Sequence, residues 1–194
     1  MAANIRFAKI TDAEAIQAIY APIVRDTVFC FETEVPGVEE IRRRIQSTML
    51  KYPWLVCETN DKVVGYVYAS ANRPRAAYQW SVEVSAYVHT KVRRSGIAKG
   101  LYTSLFEMLR LLGYFNAYAG ITLPNTGSVG LHENMGFKPI GVYKSVGYKL
   151  GAWHDVGWWQ LVLKEYTPDP IVPLPLNSMQ YSLATRAGLP LLKI

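Results

Sequence analysis

EVSAYVHTKVRRSGIAKG, residues 83–100, changes its hydrophobic period halfway along, and that change decides the fold. Together with Val82, the first part alternates. Val82, Val84, Ala86 and Val88 fall on one face and Glu83, Ser85 and Tyr87 on the other, which reads as a strand with one buried and one working face. Residues 90–95 are short, polar and basic. From Gly96 onward Ile97, Leu101, Leu105, Met108 and Leu112 recur at helical spacing. A strand therefore runs through a basic turn into a helix. The first turn of such a helix carries backbone N–H groups without intrahelical partners, and the macrodipole favours an anion there. Arg93, Arg94, Ser95, Gly96, Ile97 and Ala98 form that opening, and two guanidinium groups suit a phosphate or pyrophosphate. On spacing alone, an anion cradle and a solvated turn before a helix both stay open. Neither a GxxxxGK[ST] phosphate loop nor a GxGxxG fingerprint is present, because Gly96 and Gly100 are the only glycines between Gly65 and Gly113.

Upstream, residues 5–8 read as a first strand. Thr11-Asp12-Ala13-Glu14 is a capping-box sequence followed by Ala15, Ile16, Ile19, Tyr20 and Ile23 at helical spacing, with Pro22 expected to end or bend the helix. A second helix is predicted over 38–51. Its Arg42, Arg43 and Arg44 read as a solvated face opposite Val38, Ile41, Ile45 and Met49. Residues 54–59 and 62–70 flank Asn60-Asp61 as a hairpin. Asn72-Arg73-Pro74-Arg75 follows, where proline fixes the backbone between two guanidinium groups that suit a carboxylate and a second polar group. Downstream, Gly113 stands where a helix C-cap would, 115–122 is the next strand, and a short helix opens at Asn125 and ends near Gly136. Residues 137–149 and 153–163 read as a final antiparallel pair, with His154-Asp155 taken as a structural pair. From 167 the composition changes to Pro168, Pro170, Pro173 and Pro175 and a helical candidate over 177–187.

Half of the 194 residues are apolar, which suits one well-packed α/β domain. The net charge of +6 allows an anionic partner, and a polyanionic cofactor satisfies it as readily as nucleic acid does. No zinc-finger spacing or RNA-binding aromatic signature supports nucleic acid. No stretch approaches the roughly 20 apolar residues of a membrane span, and MAANIRFAKI has no signal-peptide hydrophobic run, so a cytoplasmic home is the expectation. Cys30 and Cys57 are the only cysteines, which disfavours a disulfide framework or a thiolate zinc site. No metal site is expected, and His132-Glu133 lacks the second histidine of HExxH.

Arg93-Arg94-Ser95-Gly96-Ile97-Ala98 resembles the [R/Q]-x-x-G-x-[G/A] acetyl-CoA pyrophosphate motif of the GNAT superfamily of N-acetyltransferases. The chain is similar over about 5–163 to the subgroup acting on phosphinothricin and methionine sulfoximine. FCFETE at 29–34, YPWLV at 52–56, RPRAAY at 73–78, Glu83, His132-Glu133 with Gly136-Phe137, and WHDVG at 153–157 carry that similarity. The resemblance implies a GNAT α/β (α+β) fold, a mixed and mostly antiparallel sheet flanked by helices. A domain over 1–166 would be followed by an extension over 167–194 packed on the domain or a partner subunit. It further implies acetyl-CoA as co-substrate, its pyrophosphate on Arg93 to Ala98 with Lys99 adjacent, its pantetheine arm on Asn125 and Ser128, and its carbonyl polarised by a backbone N–H near Val88. Phe29 or Phe31 would pack on the amino-acid substrate or else anchor the core. Arg73 and Arg75 would hold the substrate's carboxylate or oxidised head, and relatives imply a homodimer.

Forming an amide from a thioester and an amine requires a free amine, a polarised carbonyl and a protonated leaving thiol. A substrate amine is mostly ammonium at neutral pH, so a base must take a proton, and Glu83 lies on the working face of its strand near the cofactor loop. A glutamate at its ordinary pKa of roughly 4.3 is a weak base, which calls for partial burial or a relaying water. His132 stands where the wider superfamily often has a tyrosine general acid; aiding thiolate departure, orienting the cofactor and a purely structural place are all open for it. Neither cysteine sits in a nucleophile motif, so direct attack in a ternary complex is expected. Acetylation of another amine (a polyamine, an aminoglycoside, a protein N-terminus) and a non-catalytic acyl-CoA-binding module are the rival readings.

Overall fold

The computed structural model describes residues 3–176. Seven strands form one sheet in the order β1-β2-β3-β4-β5-β7-β6: β1 (Ala3–Phe7), β2 (Trp54–Thr59), β3 (Lys62–Ala71), β4 (Ser81–Val88), β5 (Asn116–Leu123), β6 (Lys138–Lys149) and β7 (Ala152–Val162). The β2–β3 turn follows from Asn60 and Asp61, both at positive φ (49° and 59°), the mirror-image turn that matches the twist of a hairpin. All pairings among the described residues are antiparallel except β4–β5, as a mixed and mostly antiparallel sheet requires.

Helix α3 (Ile97–Leu112) covers one face of the sheet. Its predicted stripe of Ile97, Leu101, Leu105, Met108 and Leu112 is buried against Leu55, Val67, Val82, Val84, Ala117 and Ala119. Gly113 closes the helix at φ 98°, a left-handed position that costs glycine no Cβ clash. Helices α1 (Ala13–Asp26) and α2 (Val38–Thr48) cover the opposite face, where Ile16, Tyr20, Ile41 and Ile45 pack on Trp54, Val56 and Tyr66. The alternation of β4 is thus buried on both sides, with Val82 and Val84 toward α3 and Tyr87 toward Tyr20.

Several expectations change. Pro22 lies inside α1, which continues to Asp26. A helix-interior proline costs roughly 3 kcal/mol, less than the combined burial of Ile19, Tyr20, Ile23 and Val24 at roughly 1.5–3 kcal/mol each. The Thr11–Glu14 capping box does not form, because Thr11 lies in a 3₁₀ turn (Ile10–Asp12) and the N-cap of α1 is Asp12, whose carboxylate accepts from Arg6 (2.7 and 2.8 Å) and from the Lys9 N–H (2.7 Å) and caps nothing in α1. Burial opposes ionisation of Asp12, but those bonds win and hold it below the ordinary carboxylate range. Helix α2 stops at Thr48, whose carbonyl then accepts from the Lys51 and Tyr52 amides ahead of Pro53. Arg44 is no merely solvated residue, for it bonds Glu32 at 2.6 Å and Glu40 at 2.7 Å.

His154 and Asp155 do not pair with each other: the ring bonds the Lys149 carbonyl, and Asp155 accepts from Lys144 and the Ser145 N–H. The first part of the proline-rich segment packs on the domain. Trp80 donates to the Ile171 carbonyl, the Leu174 N–H reaches Leu112, the Leu176 N–H reaches Lys51, and Leu176 is buried. The helical candidate over 177–187 lies outside the described residues. No helix among the described residues is long and apolar enough to cross a membrane.

Candidate active site

The β4–β5 ladder is short. It runs Ser81↔Asn116, Val82↔Ala117, Glu83↔Tyr118 and ends there. Beyond that vertex the strands splay, and a cleft of about 710 Å³ opens between them, walled by Val84 to Val88 on one side and Ala119 and Gly120 on the other. The cleft reaches the N-terminus of α3; Glu83, the last residue of β4 that pairs with β5, and Arg73 and Arg75 are not among the residues that line it.

At the α3 end, a 3₁₀ turn at Thr90–Val92 is tied by the Lys91 N–H to His89 and by the Ser95 hydroxyl to the Val92 carbonyl (2.6 Å). Arg94 (φ 60°) and Gly96 (φ 85°) then swing the chain into α3. Gly96 needs that left-handed backbone, and the turn it makes places Arg93 to Lys99 on the cleft wall. The orphan amides of the first turn of α3 face the same end.

The other wall comes from α4 (Thr126–Asn134). Asn125 is its N-cap, its side-chain oxygen accepting the Ser128 N–H at 3.1 Å. The carbonyl half of that side chain is therefore committed to the fold, and its amide remains for a ligand. Ser128 and His132 share the cleft wall. His132 is buried. Its Nδ1 lies 2.8 Å from the Ser128 carbonyl and its Nε2 2.9 Å from the Tyr102 hydroxyl. A carbonyl can only accept, so Nδ1 carries the proton and Nε2 accepts from Tyr102. Burial lowers the histidine's pKa, opposed by the bond to Ser128, and the ring is held neutral. Neutral His132 has no spare proton to give; it orients Tyr102, which also lines the cleft. Tyr102 was not singled out from the sequence because it sits beside Leu101 in the apolar stripe of α3 and reads as core.

At the vertex, Glu83 is half-buried and Arg73 Nη1 lies 3.0 Å from its Oε1. Burial raises the Glu83 pKa, and the charge and hydrogen bond of Arg73 pull the other way. The Arg73 guanidinium also lies 5.6 Å from the Trp158 ring centroid. The structure thus joins Glu83 to Arg73 in one ion pair, while Arg75 is exposed nearby. Val88, Arg93, Arg94, Ser95, Gly96, Ile97, Ala98, Lys99, Asn125, Ser128, His132 and Phe29 line one cleft. Phe31 does not: its ring lies against Gly147 so closely that a Cβ there would meet it at 2.2 Å, and it neighbours His154. Of the two aromatic candidates, Phe31 packs on Gly147 while still 37% exposed, outside the buried core, and Phe29 faces the cleft.

What holds Phe29 there was not read from the sequence. Lys149, at the end of β6, is buried, and its Nζ donates to the carbonyls of Val24 and Cys30 at 2.6 Å each. It thereby fastens the end of α1 to the loop carrying Phe29, a favourable place for a cation beside a helix C-terminus. Tyr20 and Arg44 fasten the same loop through Glu32 (2.9 and 2.6 Å). Lys149→Met keeps the length and removes the donor. It is expected to raise the amine KM by about five- to tenfold and leave the acetyl-donor KM within about twofold, because the carbonyls of Val24 and Cys30 lose the donor that ties α1 to the loop carrying Phe29, away from Arg93 to Lys99. Steady-state kinetics varying each substrate in turn checks this.

Among the described residues no group of three or more His, Cys, Asp or Glu side chains could hold a metal ion. Cys57 is buried, which pushes its thiol pKa up, and Cys30 lies 2.6 Å from the Tyr20 hydroxyl; neither lines the cleft.

An anion site at a helix N-terminus, a channel between splayed strands and a carboxylate at its vertex suit group transfer from a phosphate-bearing donor to an amine. The model of the acetyltransferase (GNAT) domain matches residues 5–158. The chain is 37% identical over 172 residues to the phosphinothricin N-acetyltransferase of Streptomyces viridochromogenes, covering 88% of this chain and 94% of that one. It is 32% identical over 168 residues to the L-methionine sulfoximine/L-methionine sulfone acetyltransferase of Salmonella typhimurium, covering 86% and 98%. The crystal structure of a phosphinothricin acetyltransferase from Sinorhizobium meliloti in complex with acetyl-CoA superposes with a TM-score of 0.84 at 34% identity, covering 88% of this chain and 94% of that one. The chain belongs to the GNAT superfamily of acetyltransferases as an acetyl-CoA-dependent N-acetyltransferase.

Proposed function

We propose that the protein acetylates the α-amine of a small amino acid with an oxidised phosphorus or sulfur head, of the phosphinothricin, methionine sulfoximine or methionine sulfone type. The observation that carries this reading is the Glu83–Arg73 pair at the vertex of the cleft: one carboxylate for an ammonium and one guanidinium for a carboxylate, the complement of an amino acid zwitterion. The activities of the relatives named above agree with it.

In this reading Arg93 to Lys99 and the α3 amides hold the pyrophosphate, and Asn125 and Ser128 hold the pantetheine arm. Glu83 takes a proton from the substrate ammonium, and the freed amine attacks the thioester carbonyl. The resulting oxyanion is stabilised by a backbone N–H near Val88, the carbon–sulfur bond breaks, and the thiolate leaves to be protonated. Phe29 packs on the substrate side chain, Arg75 takes part in holding its polar head, and His132 acts by orienting Tyr102 against the cleft. A polyamine or aminoglycoside would bring positive charge toward Arg73 and Arg75, which disfavours both. The enzyme is read as cytoplasmic, where acetyl-CoA is made and used, with detoxification of such amino acids as its role. It is also read as a homodimer; the edge strand β6 exposes Val142, Tyr143, Val146 and Tyr148, a surface that a second copy would cover.

Coenzyme A release from acetyl-CoA, measured side by side with phosphinothricin, methionine sulfoximine, methionine sulfone, spermidine and kanamycin, tests the reading. Turnover with the first three is expected. Turnover confined to spermidine or kanamycin would overturn the substrate class.

A further inference from the structure

Glu83 and Arg73 form a cluster beside the cleft, and strand register decides which other side chain joins them. Residues paired across neighbouring strands put their side chains on one face of the sheet. The pairs Val82↔Ala117 and Ala119↔Trp159 are buried in the core under α3. The pairs that alternate with them, Glu83↔Tyr118 and Gly120↔Trp158, therefore share the opposite face. Trp158 thus stands on the Glu83 side of the sheet, one step past the last β4–β5 pair, where the two strands have begun to part.

Gly120 lets the indole lean across β5 toward that gap. The outer edge of the ring (Cη2, Cζ2 and Cζ3) lies 3.3, 3.4 and 3.5 Å from where a Cβ on residue 120 would stand, so a larger residue there would crowd it. Gly120 also lines the cleft, and it is the place where the cleft and the Glu83 cluster adjoin. Tyr143 backs the indole from β6, its ring centroid 5.6 Å away at 55°. Arg73 ties the ring to the carboxylate: its guanidinium lies 5.6 Å from the indole centroid and its Nη1 3.0 Å from Glu83 Oε1. The indole Nε1 is buried, so the surface that the ring offers is carbon and π face.

We propose that Trp158 is a specificity-determining residue: its indole, leaning over Gly120, forms the wall that limits the size of the group at the far end of the amino acid side chain. The proposal rests on the reading of the substrate as an amino acid with an oxidised phosphorus or sulfur head. An amino acid with its ammonium at Glu83 and its carboxylate on Arg73 lies within a side chain's length of the indole. Phosphinothricin, methionine sulfoximine and methionine sulfone share an apolar stem of two methylenes and a tetrahedral head that carries a methyl group. A rigid aromatic wall packs on such a stem and excludes a longer group on the head, because a closely packed site does not yield to added methylenes without strain.

The test measures kcat/KM at saturating acetyl-CoA for the sulfones of S-methyl, S-ethyl, S-propyl and S-butyl homocysteine, the first of which is methionine sulfone. The wild-type value is expected to fall by about tenfold or more from methyl to butyl, and Trp158→Ala is expected to bring that ratio to within about twofold of one. Trp158→Phe, which keeps an aromatic ring of smaller reach, is expected to lie between the two, with the KM for acetyl-CoA within about twofold of wild type in both variants. Each ratio is taken within one enzyme preparation, so a loss of folded protein cancels, and Trp158→Phe carries the comparison if Trp158→Ala does not fold. A wild-type enzyme indifferent to chain length, or variants with the wild-type methyl-to-butyl ratio, overturn the wall. Wild-type turnover of none of the four sulfones overturns the substrate class and the wall with it. Turnover of methionine sulfone with a ratio that the variants leave unmoved overturns the wall alone.

Discussion

Glu83→Gln is expected to lower kcat for amino acid acetylation by about 10²–10⁴, with the KM for acetyl-CoA unchanged within about twofold. The substitution keeps the shape at the vertex of the β4–β5 splay and removes the proton acceptor. The α3 end of the cleft, lined by Arg93 to Lys99, is untouched. Arg73 loses its ion pair, but it is partly exposed and keeps its bond to the Asn72 carbonyl and its place over Trp158, so little stability is lost. The pH profile gives an independent check. Burial raises the Glu83 pKa, Arg73 restrains the rise, and only the ionised form accepts a proton. The rate for wild type should therefore fall as pH drops through a value above the ordinary carboxylate range, and the residual rate of Glu83→Gln should lack that acid limb. A variant with wild-type kcat and the same acid limb would remove Glu83 from the chemistry.

The second large effect concerns the anion end. The double variant Arg93→Ala/Arg94→Ala is expected to raise the acetyl-CoA KM by roughly ten- to a hundredfold while kcat at saturation changes little. Each guanidinium offers a charge-assisted bond to a phosphate oxygen, worth roughly 1.5–3 kcal/mol in a favourable setting and less on a loop as exposed as this one. The α3 amides and Gly96 remain, so binding is weakened and not abolished. Salt separates this from a folding defect. The wild-type KM for acetyl-CoA should climb with ionic strength, and that of the double variant should climb much less, because the charges being screened have been removed. An unchanged KM, or an unchanged salt response, would place the pyrophosphate elsewhere.

The parts of this protein that the sequence foretold are those whose cause is local. The stripe from Ile97 to Leu112, Gly113 at the helix end and the Asn60-Asp61 turn each depend on residues within a few positions of one another. The passage from strand through basic turn to helix over 83–100 belongs with them, since it is a property of neighbours in the chain. Where the structure departs from expectation the same rule holds: Pro22 does not end α1, which distant packing carries on to Asp26, and the Asp12 carboxylate at the helix start turns to Arg6.

Long-range juxtaposition lies on the other side. Lys149 is 125 positions from the Val24 carbonyl it holds, and nothing near it in sequence marks it as a buried donor. Phe29 and Phe31 are two residues apart and equivalent by composition, yet Gly147 receives one and the cleft the other. His132 and Tyr102 are each legible as a residue, but the direction of the proton between them exists only once Ser128 presents its carbonyl to the other ring nitrogen. The sequence by itself determined the order of strands and helices from β1 to β7. The tertiary structure alone decided that β4 and β5 part at Glu83 and that Arg73 meets it there, because strand pairing and ion pairing between distant segments depend on how the whole sheet packs.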